Sequence, residues 1–229
     1  MKKIKKTNKY NWFLRMLRRL IMAFRDEPKL ILKDPLPEQA IYIANHSGAA
    51  GPLTISMYFP KYMSPWGAHP MTEHYFKRWN YLYYIFYQKK LKYSKLRSFL
   101  LASLFGIISK TLYNGVQLIP TYTDLRLRKT IALSMRHFEV GNSILIFPED
   151  SDDGYKEETD EFHGGFVYLA KEFHKRFGRH IPIIPLYYHK SAKEMRVDKA
   201  YTLADFKKYK HRKEIANHFK NILNALGNS

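Results

Sequence analysis

Four short strand-like segments, the first an apolar run, separated by segments of helical character, limit this sequence more than any other feature. They fall at residues 41–44, 116–119, 143–147 and 181–188. A brief continuous apolar run bounded by turn residues is the pattern of a strand buried on both faces. One helical segment opens at Pro52 and carries Leu53, Ile55, Ser56 and Met57. An aromatic, basic one covers 75–113, and others cover 125–139 and 162–177. Pro52 suits a first helical turn, where its missing N–H has no intrahelical partner to lose. Strands alternating with helices predict an α/β fold, a mixed sheet flanked by helices and joined by crossovers. Pro182 and Pro185 in the last run predict an edge or irregular strand, because proline donates nothing to a ladder.

The 229 residues suffice for one such domain with a short appendage. At 45% hydrophobic and 26% charged, the chain is not globally disordered. The absence of cysteine excludes a disulfide scaffold, thiolate metal ligands and a cysteine nucleophile. Charge is the outlier, at a formal +19 and unevenly spread. Residues 1–25 hold nine Lys/Arg and no acid, and 61–110 hold nine against one Glu. Residues 140–165 invert this, with eight Asp/Glu against one Lys. A basic body with an acidic island calls for an anionic partner, either nucleic acid or a membrane surface.

Near the N-terminus, Phe13, Met16, Leu17, Leu20 and Phe24 recur at helical spacing, with Trp12 at the edge. Arg15, Arg18, Arg19 and Arg25 interleave with them, and Lys2, Lys3, Lys5 and Lys6 precede them. The pattern predicts a basic amphipathic helix lying in an anionic membrane interface. The alternative is a helix that packs its apolar face on the domain. The chain accordingly divides into a membrane-interface segment, 1–27, and an α/β domain, 28–229, with Pro28, Pro35 and Pro37 punctuating the join. The best apolar run, 99–108, has 10 residues against the roughly 20 of a spanning helix, so no bilayer crossing is expected. Arginines break the N-terminal apolar stretch and no cleavage site follows it, so no secretory signal is expected. The expected location is cytoplasmic, peripheral on the inner face of the membrane. Tyr, Trp and Lys mixed over 75–97 fit a membrane interface, where rings sit at headgroup depth. The same mixture can stack on bases, but no RNP segment, helix-turn-helix pattern or zinc spacing accompanies it. No nucleic-acid partner is expected.

Chemistry would gather at strand ends, where open α/β sheets bind ligands. Asn45 and His46 follow the first run directly, and Phe147, Pro148 and Glu149 close the third. Ser47 and Gly48 open a stretch of small residues, where backbone can approach a ligand closely. In this order the segments resemble the glycerolipid acyltransferase family, typified by 1-acylglycerol-3-phosphate acyltransferase. The family's Asn-His-x-x-x-x-Asp block is matched by Asn45 and His46, and its G-x-I-P-V-x-R strand is echoed at 115–121. Its F-P-E-G-T-R block is matched by Phe147, Pro148 and Glu149, with Ser151 for Thr, and its V-P-I-V-P-V strand by 181–186. The resemblance covers roughly residues 38–190.

It implies an acyltransferase-like domain in which His46 is the general base that activates an acceptor hydroxyl. The hydroxyl attacks the thioester of acyl-CoA or acyl-carrier protein, without further cofactor. It also implies that Glu149 and the neighbouring block residues hold a lipid acceptor, with Glu149 a candidate orienting carboxylate. Three departures stand out. Gly51 occupies the position of the family's catalytic Asp, Thr121 or Thr123 that of an Arg, and Asp150 and Asp152 those of Gly and Arg. Arg126 or Arg128 is the candidate replacement for a missing cation. Two outcomes remain open: an enzyme with a rebuilt dyad and an acceptor lacking phosphate at this spot, or a catalytically weak relative that binds lipid or acyl thioester. The acidic island fails the calcium-loop pattern at its fifth position, Gly154, and reads as a solvated loop rather than a metal site. His163, Gly164 and Gly165 after it form either an active-site edge or a turn.

Overall fold

In a computed structural model, the described residues are 26–47, 50–122, 124–149 and 161–228, with positions 4, 15, 16, 19, 20, 22 and 23 of the N-terminal segment. Seven strands form one sheet: β1 (Lys29–Leu32), β2 (Ile41–Ala44), β3 (Met63–Ala68), β4 (Ile119–Thr121), β5 (Ser143–Ile146), β6 (Ile183–His189) and β7 (Glu194–Val197). Their order is β1-β7-β6-β2-β5-β3-β4, parallel throughout except where β7 runs antiparallel to β6. The α/β reading holds, and the sheet is mixed.

Helices cover both faces. α1 (Ala50–Tyr58) follows β2, α4 (Leu127–Glu139) precedes β5, α5 (Gly165–Phe177) links β5 to β6, and α6 (Arg212–Asn228) ends the described chain. The fully buried β2 divides its side chains by period two. Ile41 and Ile43 join Phe166, Phe173 and Phe219 of α5 and α6, while Tyr42 and Ala44 join Ile55 and Met57 of α1. This double burial explains why β2 reads as an unbroken apolar run and β5 as one after Ser143.

A second helical layer stands between β3 and β4: α2 (Tyr75–Asn80), a π-helix (Tyr81–Lys90) and α3 (Lys95–Gly115). In the π-helix the buried side chains are Leu82 and Tyr87, five residues apart, the spacing that a wider turn stacks. Ser94 caps α3, its hydroxyl accepting the Arg97 N–H at 3.4 Å.

Two expectations are corrected. β6 is an interior strand, flanked by β7 and β2, despite Pro182 and Pro185. Pro182 precedes the strand, and Pro185 lies opposite Asp198, one residue past the end of β7, so its missing N–H falls where that ladder has already stopped. The 99–108 run belongs to a helix of 21 residues, long and apolar enough by length and composition to cross a membrane. Its apolar positions are interspersed with Ser, Gly and Lys, so the contiguous run understates the helix.

His137 of α4 is buried against β3, its Nδ1 2.9 Å from Ser64 Oγ and 3.3 Å from Asn142 Nδ2. Burial lowers its pKa from the usual 6.5 to about 4. Between these values the unfolded chain binds the proton and the folded chain does not, so stability is full above pH 6.5 and falls as pH drops toward 4. Urea titrations are expected to show a loss on the order of 3 kcal/mol over this window, with a flatter profile in His137→Gln.

Candidate active site

The parallel strands β2 and β5 end side by side, and their carboxyl ends bring the sequence-predicted residues together. Asn45 is buried at the end of β2, with both ends of its amide committed to the neighbouring strand. Oδ1 accepts the Tyr188 N–H at 2.7 Å, and Nδ2 donates to the Tyr188 carbonyl at 3.1 Å. This pair fixes the position at which the chain leaves the sheet. Ser47 then takes a left-handed backbone (φ 42), a conformation that costs a non-glycine residue about 1 kcal/mol and turns the chain sharply after His46.

His46, half-buried, sits between these two constraints. Its backbone N–H donates to Glu149 Oε2 at 3.0 Å, joining the first and third sequence blocks. Its ring lies 5.0 Å from that of Phe147, tilted by 60°. Glu149 is itself buried and bridges to Phe162, while the Pro148 carbonyl accepts the His163 N–H at 2.8 Å. The two ends of the acidic segment therefore meet beside His46. Asp150, Ser151 and Asp152 lie within that segment, and they and Gly48 are outside the described residues, as are Trp12, Phe13 and Arg18. Arg15 and Arg19 are helical and exposed.

Gly51 has a positive physical reason to be glycine. A Cβ built there stands 2.1 Å from the His46 carbonyl oxygen and 2.9 Å from its carbon. The first turn of α1 is packed onto the His46 backbone so closely that a side chain at position 51 would displace it.

Arg126 and Arg128 are exposed at the start of α4. Arg126 is engaged with Asp124, its Nε donating at 2.9 and 3.0 Å to the two carboxylate oxygens, and it lies over the Tyr122 ring at 4.7 Å. The guanidinium holds the Asp124 carboxyl down at about 2. The cation proposed for an acceptor phosphate thus already has a counter-ion. Among the described residues, no group of three or more His, Asp or Glu is placed to hold a metal ion.

His46 and Phe147 line one side of a cavity of about 510 Å³. Trp66 and Gly67 of β3, Leu82 and Tyr87 of the π-helix, and Leu101 and Phe105 of α3 line others. Its volume is within the range of small-ligand sites, and its wall is overwhelmingly apolar and aromatic. Gly165, after His163, lets the start of α5 approach Trp66, where a Cβ would come within 3.2 Å of the indole. The sequence reading did not find these wall residues. Trp66 and Gly67 carried no signal, and for the wall residues within 75–113 the signal was the aromatic richness of that stretch, which serves a core, an interface and a cavity equally well.

A strand-end histidine, its backbone held by a buried carboxylate, thus lines an apolar cavity on a mixed α/β sheet flanked by helices. The crystal structure of the 1-acyl-sn-glycerophosphate (LPA) acyltransferase PlsC from Thermotoga maritima shares this fold, with a TM-score of 0.54 over 94% of this chain and 78% of that one. Sequence identity is 10%, so the likeness is one of fold. No protein-family model matches the sequence, and no curated protein matches it.

Two outcomes follow from this geometry. Gly51→Asp, which places a carboxylate where the resembled acyltransferase block has one, is expected to destabilise the protein by about 1–3 kcal/mol in thermal or urea unfolding, because the His46 carbonyl must move. Glu149→Ala is expected to cost about 1–3 kcal/mol by stranding the His46 N–H, whereas Glu149→Gln keeps an oxygen for that bond and loses markedly less in the same measurement.

Proposed function

We propose that this protein transfers an acyl chain from acyl-CoA or acyl-carrier protein to a lysolipid or related hydroxyl or amine acceptor. The reaction takes place on the cytoplasmic face of an anionic membrane and needs no cofactor beyond the thioester. The observation that carries this reading is the shared wall: His46 lines the same apolar cavity as Trp66, Leu82 and Phe105. An acyl chain buried there would present its thioester to the histidine. The acyltransferase fold shared with PlsC supports the same reaction class.

In the proposed step, the acceptor's hydroxyl oxygen or amine nitrogen attacks the thioester carbonyl while His46 takes the proton. The new ester or amide bond forms, the carbon–sulfur bond breaks, and the thiolate leaves with the proton held on His46. Glu149 is a positioning residue, acting through the backbone N–H of His46. The pairing of Arg126 with Asp124 and the acidic residues of 150–161 favour an acceptor that carries no phosphate at this spot.

A second reading is favoured by Gly51. With no side chain at the family's Asp position, and no room for one, the protein would bind lipid or acyl thioester and turn it over weakly. Loss of an orienting carboxylate has cost on the order of 10⁴ in rate in serine hydrolases. One assay separates the two. Purified protein given labelled acyl-CoA or acyl-carrier protein and a panel of lysolipids is expected to form labelled lipid, and His46→Ala to lose at least about a hundredfold of that rate. Equal rates in the two proteins reject the enzyme; retained binding of the thioester without turnover establishes the second reading.

A further inference from the structure

Helix α3 is built inside out. Its buried positions are small, Ser98, Ala102, Gly106 and Ser109, and recur at three- and four-residue steps on the face toward the protein. Gly106 lies against Tyr75 of α2, with 3.1 Å left for a Cβ. The large apolar side chains point the other way: Leu96 is 71% exposed, Leu100 60%, Leu104 65% and Ile107 67%, with Phe99 and Ile108 beside them. Only 22% of its most apolar 18-residue stretch is buried. A water-facing helix shows the opposite arrangement, and a contiguous exposed apolar patch of this kind marks a surface with a partner.

We propose that this face inserts into the interface of an anionic lipid bilayer, with α3 lying in the membrane plane. Charge identifies the partner. No acidic residue occurs between Glu73 and Asp124, while Lys89, Lys92, Lys95 and Arg97 crowd the start of α3 and Lys110 follows its apolar stripe. All five of these cations are exposed. A basic border around an apolar stripe matches anionic headgroups around acyl chains. In this proposal the helix lies flat rather than crossing the bilayer, its buried small-residue face turned to the protein, with Gly106 against Tyr75 of α2, and its leucine face turned to lipid. Leu101 and Phe105 neighbour the stripe at Leu100 and Leu104 and line the cavity. α3 is therefore a wall common to the bilayer and the cavity, and an acyl chain passes beside it from one to the other. The path rests on the acyltransferase reading above; the insertion does not.

The chain has no cysteine, so single labels are available without background. Leu104→Cys and Ile107→Cys, each carrying a polarity-sensitive fluorophore in the otherwise intact protein, are to be mixed with vesicles of phosphatidylcholine and phosphatidylglycerol. Lys175→Cys, exposed on α5, is the control. The expected result is a blue shift with a several-fold rise in emission at 104 and 107 and none at 175. Leu104→Gln with Ile107→Gln, checked for an unchanged thermal melt, is expected to reduce the vesicle-bound fraction roughly tenfold. A label that stays in water while the protein sediments with vesicles overturns the proposal and assigns binding to another segment. A blue shift that needs no vesicles and grows with protein concentration also overturns it, in favour of a second copy of this chain. Insertion without His46-dependent transfer rejects the acyltransferase reading alone. Transfer from a water-soluble donor without insertion rejects the membrane face alone.

Discussion

The paired hydrogen bonds between the Asn45 amide and the Tyr188 backbone hold the one position on which the rest of the site depends. They lock the end of β2 to β6 in the middle of the sheet, where neither strand can shift without exposing a fully buried neighbour. His46 is the next residue, and Glu149 holds its backbone from the other side, from the end of β5. The histidine is thus anchored through the main chain on two strands at once. Its imidazole is left to face Phe147 and the cavity. Preorganisation of this kind comes from the scaffold.

Gly51 takes its meaning from the same anchoring. On sequence alone it is a loss, a missing carboxylate in an otherwise recognisable block. In the structure it permits the first turn of α1 to press against the His46 carbonyl. Glu149 holds the His46 backbone, and position 51, the second residue of α1, has no room for a carboxylate beside it.

The layer inserted between β3 and β4 joins the cavity to the outer surface. Its aromatic side chains, Trp79 stacked on Tyr83 and Tyr87 on Tyr93, build a small core of their own beside the sheet. α3 closes that core with its narrow face and turns its broad apolar face outward. Phe76, Tyr84 and Ile85 add exposed apolar area on the helices packed beside it. A chain with a formal charge of +19 that also exposes this much hydrocarbon carries both halves of a lipid-surface signal.

The segments at 41–44 and 143–147 were legible because strands buried on both faces have few polar positions, here only Ser143, to dilute the pattern. β3 was not, since Met63, Ser64, Pro65, Trp66, Gly67 and Ala68 carry no apolar run and become a strand only by pairing with β4 and β5. β1, mostly exposed, and β7, with alternating burial, are four residues each and too short to stand out. α6 was within reach, with Ile215, Phe219, Leu223 and Leu226 at helical spacing. By itself the sequence determined the α/β class, the central strands, and the residues that end them, because burial on both faces and turn chemistry are local demands. Tertiary structure alone decided that Glu149 meets His46, that Gly51 leaves no room for a carboxylate, and that α3 presents its leucines outward. Each of those depends on what a distant strand or helix places within a few ångströms, and no local pattern records it.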